Sequence, residues 1–267
     1  MFYIILLAII QGITEFLPVS SSAHLVIFHK IFGNLENYLL LDIGLHLGSL
    51  FAILLYYKET LFNSISNITK DKMSSKNLIN KVFIAFMGFI PIAALVFFTV
   101  INIKTARDIR SSYMLLIFNS IVFALILYKH DVKRENRDIN ELSLKELFSI
   151  GLYQSLSVFP GVSRSGISIT RARMLGLSRD KSVEFSMLLA IPTIIAAGGV
   201  STIRIIMLND FAMTTYFLTA IITSFIFSYI SLSLFVKYIK KHSFKPFIVY
   251  RIAISIILAM MVLSDKI

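Results

Sequence analysis

Apolar residues run along this chain in long blocks parted by short polar and basic stretches, and the block lengths carry most of the structural reading. The first block, residues 2–17, makes a helix of about 16 residues, roughly 24 Å at ~1.5 Å per residue. That is short of the ~30 Å hydrocarbon thickness of a bilayer. Pro18 breaks the block, and Ser20, Ser21 and Ser22 supply N-cap chemistry for a second short helix over about 21–32. Two half-length helices about a polar turn predict a re-entrant hairpin, because irregular backbone is tolerated at membrane depth only inside protein or along a cavity. Blocks long enough to span follow at about 40–57, 79–101 and 111–129. Between them, 58–78 (Lys58, Lys70, Lys72, Lys76) and 130–145 (Lys133, Arg134, Arg137) read as polar loops.

The second half restarts the same plan. A short run over 146–159 meets a break at Pro160-Gly161, a short helix over about 164–176 follows, and three spans close the chain at roughly 182–204, 212–236 and 247–263. The stretch Gln154-Ser-Leu-Ser-Val-Phe-Pro160-Gly161-Val-Ser163-Arg164-Ser165-Gly166 echoes Gln11-Gly-Ile-Thr-Glu15-Phe-Leu-Pro18-Val-Ser20-Ser21-Ser22-Ala-His24. Each reads glutamine, a short apolar run, proline and a serine cluster. Past the hairpins, Leu50-Phe51-Ala52-Ile53 can be laid on Leu188-Leu189-Ala190-Ile191, which places His46 opposite Glu184. Three spans per repeat is an odd number, so the second repeat enters from the opposite side. The predicted fold class is therefore an all-α polytopic membrane protein of two inverted repeats, about 1–130 and 146–265, in a single integral membrane domain. Such repeats place binding sites near the midplane, where broken helices meet.

Composition agrees and narrows the function. Of 267 residues, 57% are hydrophobic and 15% charged, against roughly 25% charged in soluble chains. There is no cysteine, which excludes disulfides and thiolate chemistry. The net charge of +11 does not point to nucleic acid, because the basic residues gather between apolar blocks. Six fall on the face of the N-terminus and eighteen on the other. The positive-inside rule makes the richer face cytoplasmic and puts both termini outside, and the basic loops attract anionic lipid head groups. The first block is expected to be retained rather than cleaved as a leader, since it lacks a basic start and carries Glu15 inside its apolar run.

The polar residues inside apolar blocks are the candidates for chemistry, because an ionisable group at membrane depth costs about 2.5–3.5 kcal/mol on insertion scales. Gln11 and Glu15 share a helix face at i, i+4. Ser20, Ser21 and His24 lie just past the proline, so a carboxylate, a hydroxyl and an imidazole can converge as a nucleophile with a base. Pro160-Gly161-Val-Ser163-Arg164-Ser165-Gly166 reads as a phosphate cradle. Its glycines let backbone approach a ligand, the following helix N-terminus favours an anion, and Arg164 can grip phosphate oxygens in a fork. His46, i, i+4 from Asp42, either lines the cavity or makes a structural hydrogen bond, and Gln154 and Ser168 are further candidates. Glu184 is expected to bond a helix terminus. No His, Asp or Glu set has metal-ligand spacing, so a divalent ion would bridge Glu15 and substrate phosphates while keeping its waters.

These two stretches are similar to the two signatures of the undecaprenyl-pyrophosphate phosphatase family of the BacA type, and the resemblance extends over essentially the whole chain. The first is Gln11-xxx-Glu15-Phe-Leu-Pro-Val-Ser-Ser with His24, the second Pro160-Gly-Val-Ser-Arg-Ser-Gly. The resemblance implies an inner-membrane phosphatase that removes the terminal phosphate of undecaprenyl pyrophosphate. That reaction recycles the lipid carrier of peptidoglycan and other cell-wall polymers and confers bacitracin resistance. It further implies dependence on a divalent cation, Mg²⁺ or Ca²⁺. Carried over, Ser21 is the nucleophile, Glu15 the acid/base or cation-binding carboxylate, and His24 assists proton transfer. Arg164, Ser163 and Ser165 hold the pyrophosphate, with Gly161, Gly166, Ser20, Ser22 and Gln11 around it. Two positions depart from the pattern. Gln11 stands where glutamate is frequent and cannot act as a base, and Ser168 stands where threonine is usual and keeps the hydroxyl. An SR-x5-H phosphatase signature is absent, since Thr170 occupies the histidine offset from Ser163-Arg164. The alternative from another class is a transporter or flippase of polyprenyl phosphate using the same anion site. Attack by Ser21 and direct attack by water both remain open at this level.

Overall fold

The computed structural model describes residues 1–32, 38–70, 77–102, 113–131, 137–207 and 211–264. Parts of the basic loops, 71–76, 103–112 and 132–136, lie outside the described residues. Among the described residues, eleven α-helices run in the order α1 Phe2–Thr14, α2 Ser21–Phe32, α3 Tyr38–Tyr56, α4 Lys58–Lys70, α5 Leu78–Asn102, α6 Tyr113–Asp131, α7 Leu144–Gln154, α8 Arg164–Met174, α9 Arg179–Met207, α10 Phe211–Ile239 and α11 Lys245–Leu263. Among the described residues, extended pairing is limited to a single bridge between Arg137 and Leu177.

The short helices fall where the prolines put them. α1, α2, α7 and α8 have 11 to 13 residues each, about 17–20 Å at ~1.5 Å per residue. The break between α1 and α2 holds Ser20 in the left-handed region (φ 69°), and that between α7 and α8 holds Gly161 there (φ 84°). A Cβ on Gly161 would also run into the carbonyl of Leu116, so this turn needs glycine twice over. α7 starts two residues earlier than expected because Ser143 and Glu146 form a capping box, each side chain bonding the other's backbone N–H.

Helices long and apolar enough to cross a membrane are Leu78–Leu95, Tyr113–Asp131, Thr214–Ile239 and Lys245–Leu263. The protein is therefore a multi-pass membrane protein. A fifth crossing arises if α3 and α4 act as one, bent by 66°. One expectation is overturned by the fold. Residues 58–70 were expected to be loop and form α4, because Leu61, Phe62 and Ile65 recur at helical spacing among the polar residues. Leu61 packs on the main core, whereas Phe62 and Ile65 are exposed, the pattern of a helix lying at an interface. α9 covers the span expected over about 182–204. Arg179, Asp180, Lys181 and Glu184 fill its first two turns.

The hairpins pack on opposite partners. α1 runs along α10 and α7 along α5, while α3 meets both α9 and α10. Close approach sets these contacts. Gly12 of α1 and Gly48 of α3 sit against the α10 backbone around Ser224, and Gly151 of α7 sits against the Ala85 carbonyl of α5. Between α3 and α10, Ser49, Ser224 and Ser228 share buried hydroxyl bonds. A core of Phe16, Ile53, Leu127, Leu188 and Phe235 fills the space between the two halves. Asp131, at the end of α6, accepts from Arg179 Nε at 2.5 Å and from the Phe244 N–H at 3.0 Å, tying α9 and the turn into α11 to one point.

Candidate active site

Glu15, the residue that ends α1, is the hub of the site and is 5% exposed. Its Oε2 accepts from the Ser21 hydroxyl at 2.7 Å and from the Gln11 amide nitrogen at 2.6 Å. Its Oε1 accepts from Nη2 of Arg164 at 2.6 Å. One carboxylate thus gathers the hydroxyl that opens α2, the amide one helical turn back and the guanidinium that opens α8. Helical spacing delivers Gln11. The reversal at Ser20 delivers Ser21, and only the meeting of the two breaks delivers Arg164.

Arg164 commits one nitrogen to Glu15 and leaves Nη1 buried with no hydrogen-bond partner among the described residues. A guanidinium half used on a carboxylate has the other half of its fork for a second anion. Both α2 and α8 begin at this place, and their first-turn N–H groups favour negative charge. The arrangement can hold a phosphate beside a hydroxyl already bonded to a carboxylate.

The other candidates divide. His46 belongs to the site: its Nδ1 lies 2.8 Å from Gln11 Nε2 and 3.5 Å from Glu15 Oε1. Asp42 turns instead to His29 at 3.4 Å. His24 does not reach Glu15 or Ser21. Its Nδ1 bonds the Ser20 carbonyl at 2.8 Å, and its Nε2 meets the Tyr250 hydroxyl at 2.7 Å. Tyr250 in turn lines an open depression of about 560 Å³ with Tyr238, His242 and Lys245. Ser20 and Ser22 face each other at 3.3 Å beside Ser21.

In the second hairpin, Ser163 caps α8 by accepting from the Gly166 N–H at 3.0 Å, which uses both residues locally. Ser165 donates to the Leu17 carbonyl at 2.9 Å and so stitches α8 to the first break. Ser168 bonds Ser186 at 2.6 Å, inside the protein. Gln154 donates to Thr193 of α9 at 2.8 Å, as Gln11 meets His46 of α3. Each hairpin glutamine therefore reaches the span after its own hairpin, and the amide oxygen of each is buried without a partner among the described residues. Glu184, which the repeat alignment sets opposite His46, makes its ion pair within its own helix. It is bonded to Lys181 at 2.8 Å, one turn away on α9.

Two residues were missed by sequence reading. Asn119 of α6 donates to the Pro160 carbonyl at 2.8 Å. Arg251, 1% exposed within α11, reaches the carbonyls of both breaks. A lone arginine inside an apolar span was the available signal for the second.

Residues 4–257 match the family described as bacitracin resistance protein BacA. The chain belongs to this family. Relatives named undecaprenyl-diphosphatase are similar along nearly their whole length. The one from Pelagibacter ubique is 39% identical over 96% of this chain and 95% of its own. That from Campylobacter concisus is 35% identical over 94% of each chain, and that from Hahella chejuensis 35% over 93% of each. The hub residues Gln11, Glu15, Ser21, His46 and Arg164 all lie inside the stretch matched by the BacA family. Nothing in these comparisons supports the transporter alternative.

Proposed function

We propose that this protein is a membrane phosphatase that hydrolyses undecaprenyl diphosphate to undecaprenyl phosphate and inorganic phosphate. The observation that carries this reading is the Ser21 hydroxyl bonded at 2.7 Å to a carboxylate whose other oxygen is held by Arg164. The names of the relatives point to the same reaction. The lipid tail stays among the membrane lipids while the diphosphate enters between the hairpins. Nη1 of Arg164 and the helix N-termini neutralise it, so that positioning and electrostatics carry most of the rate. Ser21 Oγ attacks the terminal phosphorus as Glu15 takes its proton, the phosphorus–oxygen bond to undecaprenyl phosphate breaks, and water then cleaves the phosphoserine to free phosphate. Gln11 and His46 fix the orientation of Glu15. His24, held by Tyr250, stands on the rim and delivers or removes protons there.

A divalent cation fits this site as a companion of the substrate. Among the described residues, no group of three or more His, Cys, Asp or Glu side chains gathers to cage one. Glu15 and the unpartnered Gln11 Oε1 offer two oxygens, enough for Mg²⁺, which keeps waters and takes substrate phosphates as ligands. When bound, the ion would supply further neutralisation of the diphosphate charge.

The test is phosphate release from undecaprenyl diphosphate by the purified protein in detergent with Mg²⁺, beside Ser21→Ala and Arg164→Ala. Release by wild type that both variants lose supports the reaction and both halves of the site. Release that survives Ser21→Ala removes the serine nucleophile. No release from folded wild type with any divalent cation overturns the reading.

Orientation belongs to the same proposal. Location in the bacterial inner membrane with both termini outside, and a site open outward, rests on the eighteen basic residues of one face against six on the other. Inverted repeats are supported by the matched breaks, the matched glutamines and the packing of α1 on α10 and α7 on α5. A cysteine placed at position 2 should react with an impermeant reagent from outside, and labelling only from the cytoplasm would refute the orientation.

A further inference from the structure

Among the described residues Arg251 is the largest fully buried side chain, and no carboxylate pairs with it. Its Nη2 donates to the Gly161 carbonyl at 2.9 Å and its Nη1 to the Pro18 carbonyl at 3.5 Å. A Cβ on Gly166 would lie 3.3 Å from Nη1, so the guanidinium also lies against the first turn of α8. A buried charge needs compensation, and here it comes from backbone carbonyls that the two helix breaks leave without helical partners.

The register of these carbonyls matters. Pro18 lies three residues before Ser21, and Gly161 lies three residues before Arg164. One planar fork thus fixes two points, each a single short step of chain from a reactive side chain. The neighbouring Tyr250 holds His24 from the same helix turn. We propose that Arg251 is a positioning residue for the phosphatase reaction: it bridges the two breaks and sets the distance between the Ser21–Glu15 pair and the phosphate-binding side of Arg164. This rests on the phosphatase reading above. Lysine cannot replace it fully, because a point charge does not span two carbonyls as a fork does.

The chain has no cysteine, so a pair of introduced ones reports the separation of the hairpins cleanly. Ile13 and Phe159 are exposed on the two hairpins and outside the catalytic machinery. Spin labels at I13C and F159C are measured by double electron–electron resonance, with turnover of undecaprenyl diphosphate followed in parallel, in wild type, R251Q and R251K. R251Q should broaden the label distance distribution and lower kcat about 100-fold, the scale of a misplacement near 1 Å, with KM changed less than about threefold. R251K should show both effects at smaller size, about tenfold in kcat, and it carries the test alone if R251Q does not fold. A kcat near wild type in either folded variant overturns the proposal. So does a loss of kcat with an unchanged label distribution. An inactive wild type would sink the phosphatase reading instead, while the label distances would still decide whether Arg251 holds the breaks together.

Discussion

Replacing Glu15 with glutamine is the sharpest perturbation of this site, because it keeps the size of the hub and changes only what its two oxygens can accept. In the native arrangement Oε2 receives the Ser21 and Gln11 hydrogens and Oε1 receives the Arg164 hydrogen. An amide has one oxygen, so one of these places becomes an NH₂ that faces donors. If the NH₂ faces Ser21, the hydroxyl must turn its proton away and accept, and the route for proton removal is lost. If it faces Arg164, the guanidinium is left without its counter-charge and the two hairpins lose a direct tie. Loss of a general base typically costs 10²–10⁴ in rate, so kcat should fall by about that factor, or about 3–5 kcal/mol in barrier. The assay is steady-state phosphate release from undecaprenyl diphosphate in detergent, with thermal unfolding as the check on folding. Ser21→Ala and the double variant complete a cycle. A nucleophile and its base act as one unit, so the double variant should be no slower than about the worse single one. A folded Glu15→Gln protein that keeps more than a tenth of wild-type kcat would refute this reasoning. Losses that simply multiply in the double variant would refute the coupling.

Arg164→Lys keeps the charge but cannot serve Glu15 and a phosphate together, and kcat/KM should fall about 10- to 100-fold; an unchanged value would remove the fork from the site. Gly151→Ala places a methyl against the Ala85 carbonyl, so overpacking should cost about 1–3 kcal/mol, read as a lower unfolding temperature, and an unchanged temperature would deny the close α5–α7 contact. Outside the spans, hydrogen bonds from Arg137 hold the Glu146 carboxyl down at about 2, helped by the Ser143 N–H. A depressed acid contributes stability above its ordinary range and loses it as pH falls through the folded value. Glu146→Gln should therefore unfold about 2–4 °C below wild type at neutral pH, for ~1 kcal/mol at this half-exposed pair. The gap should narrow between about pH 4.5 and about 2, and a gap that stays constant over that range would exclude ionisation as its source.

The sequence by itself determined the local events of this fold. Pro18 and Pro160 lie in the two breaks, past the ends of α1 and α7, and the serines beside them mark the next helix starts, so both hairpins could be read to within a few residues. Gln11 and Glu15 share a face by helical period alone, and the unusual serines and arginine beside the breaks marked Ser21 and Arg164 as chemistry. Charge was a poorer guide to 58–70, where the apolar period of α4 prevailed over its lysines. What lay beyond the sequence was every relation that depends on how the breaks turn and which helices meet. The left-handed residue at Ser20 swings His24 to Tyr250 and Ser21 to Glu15, although both residues sit within one turn of each other in the chain. His46 joins the hub because α3 packs beside α1, and Glu184 stays out because Lys181 on its own helix satisfies it. Ser165 reads as a phosphate ligand but spends its hydroxyl on Leu17. Arg251 acquires its place only when the two breaks, 143 positions apart by the glutamine spacing, present their carbonyls to one side chain. Hydrogen bonds across such separations are fixed by packing of whole helices, and no local period encodes them.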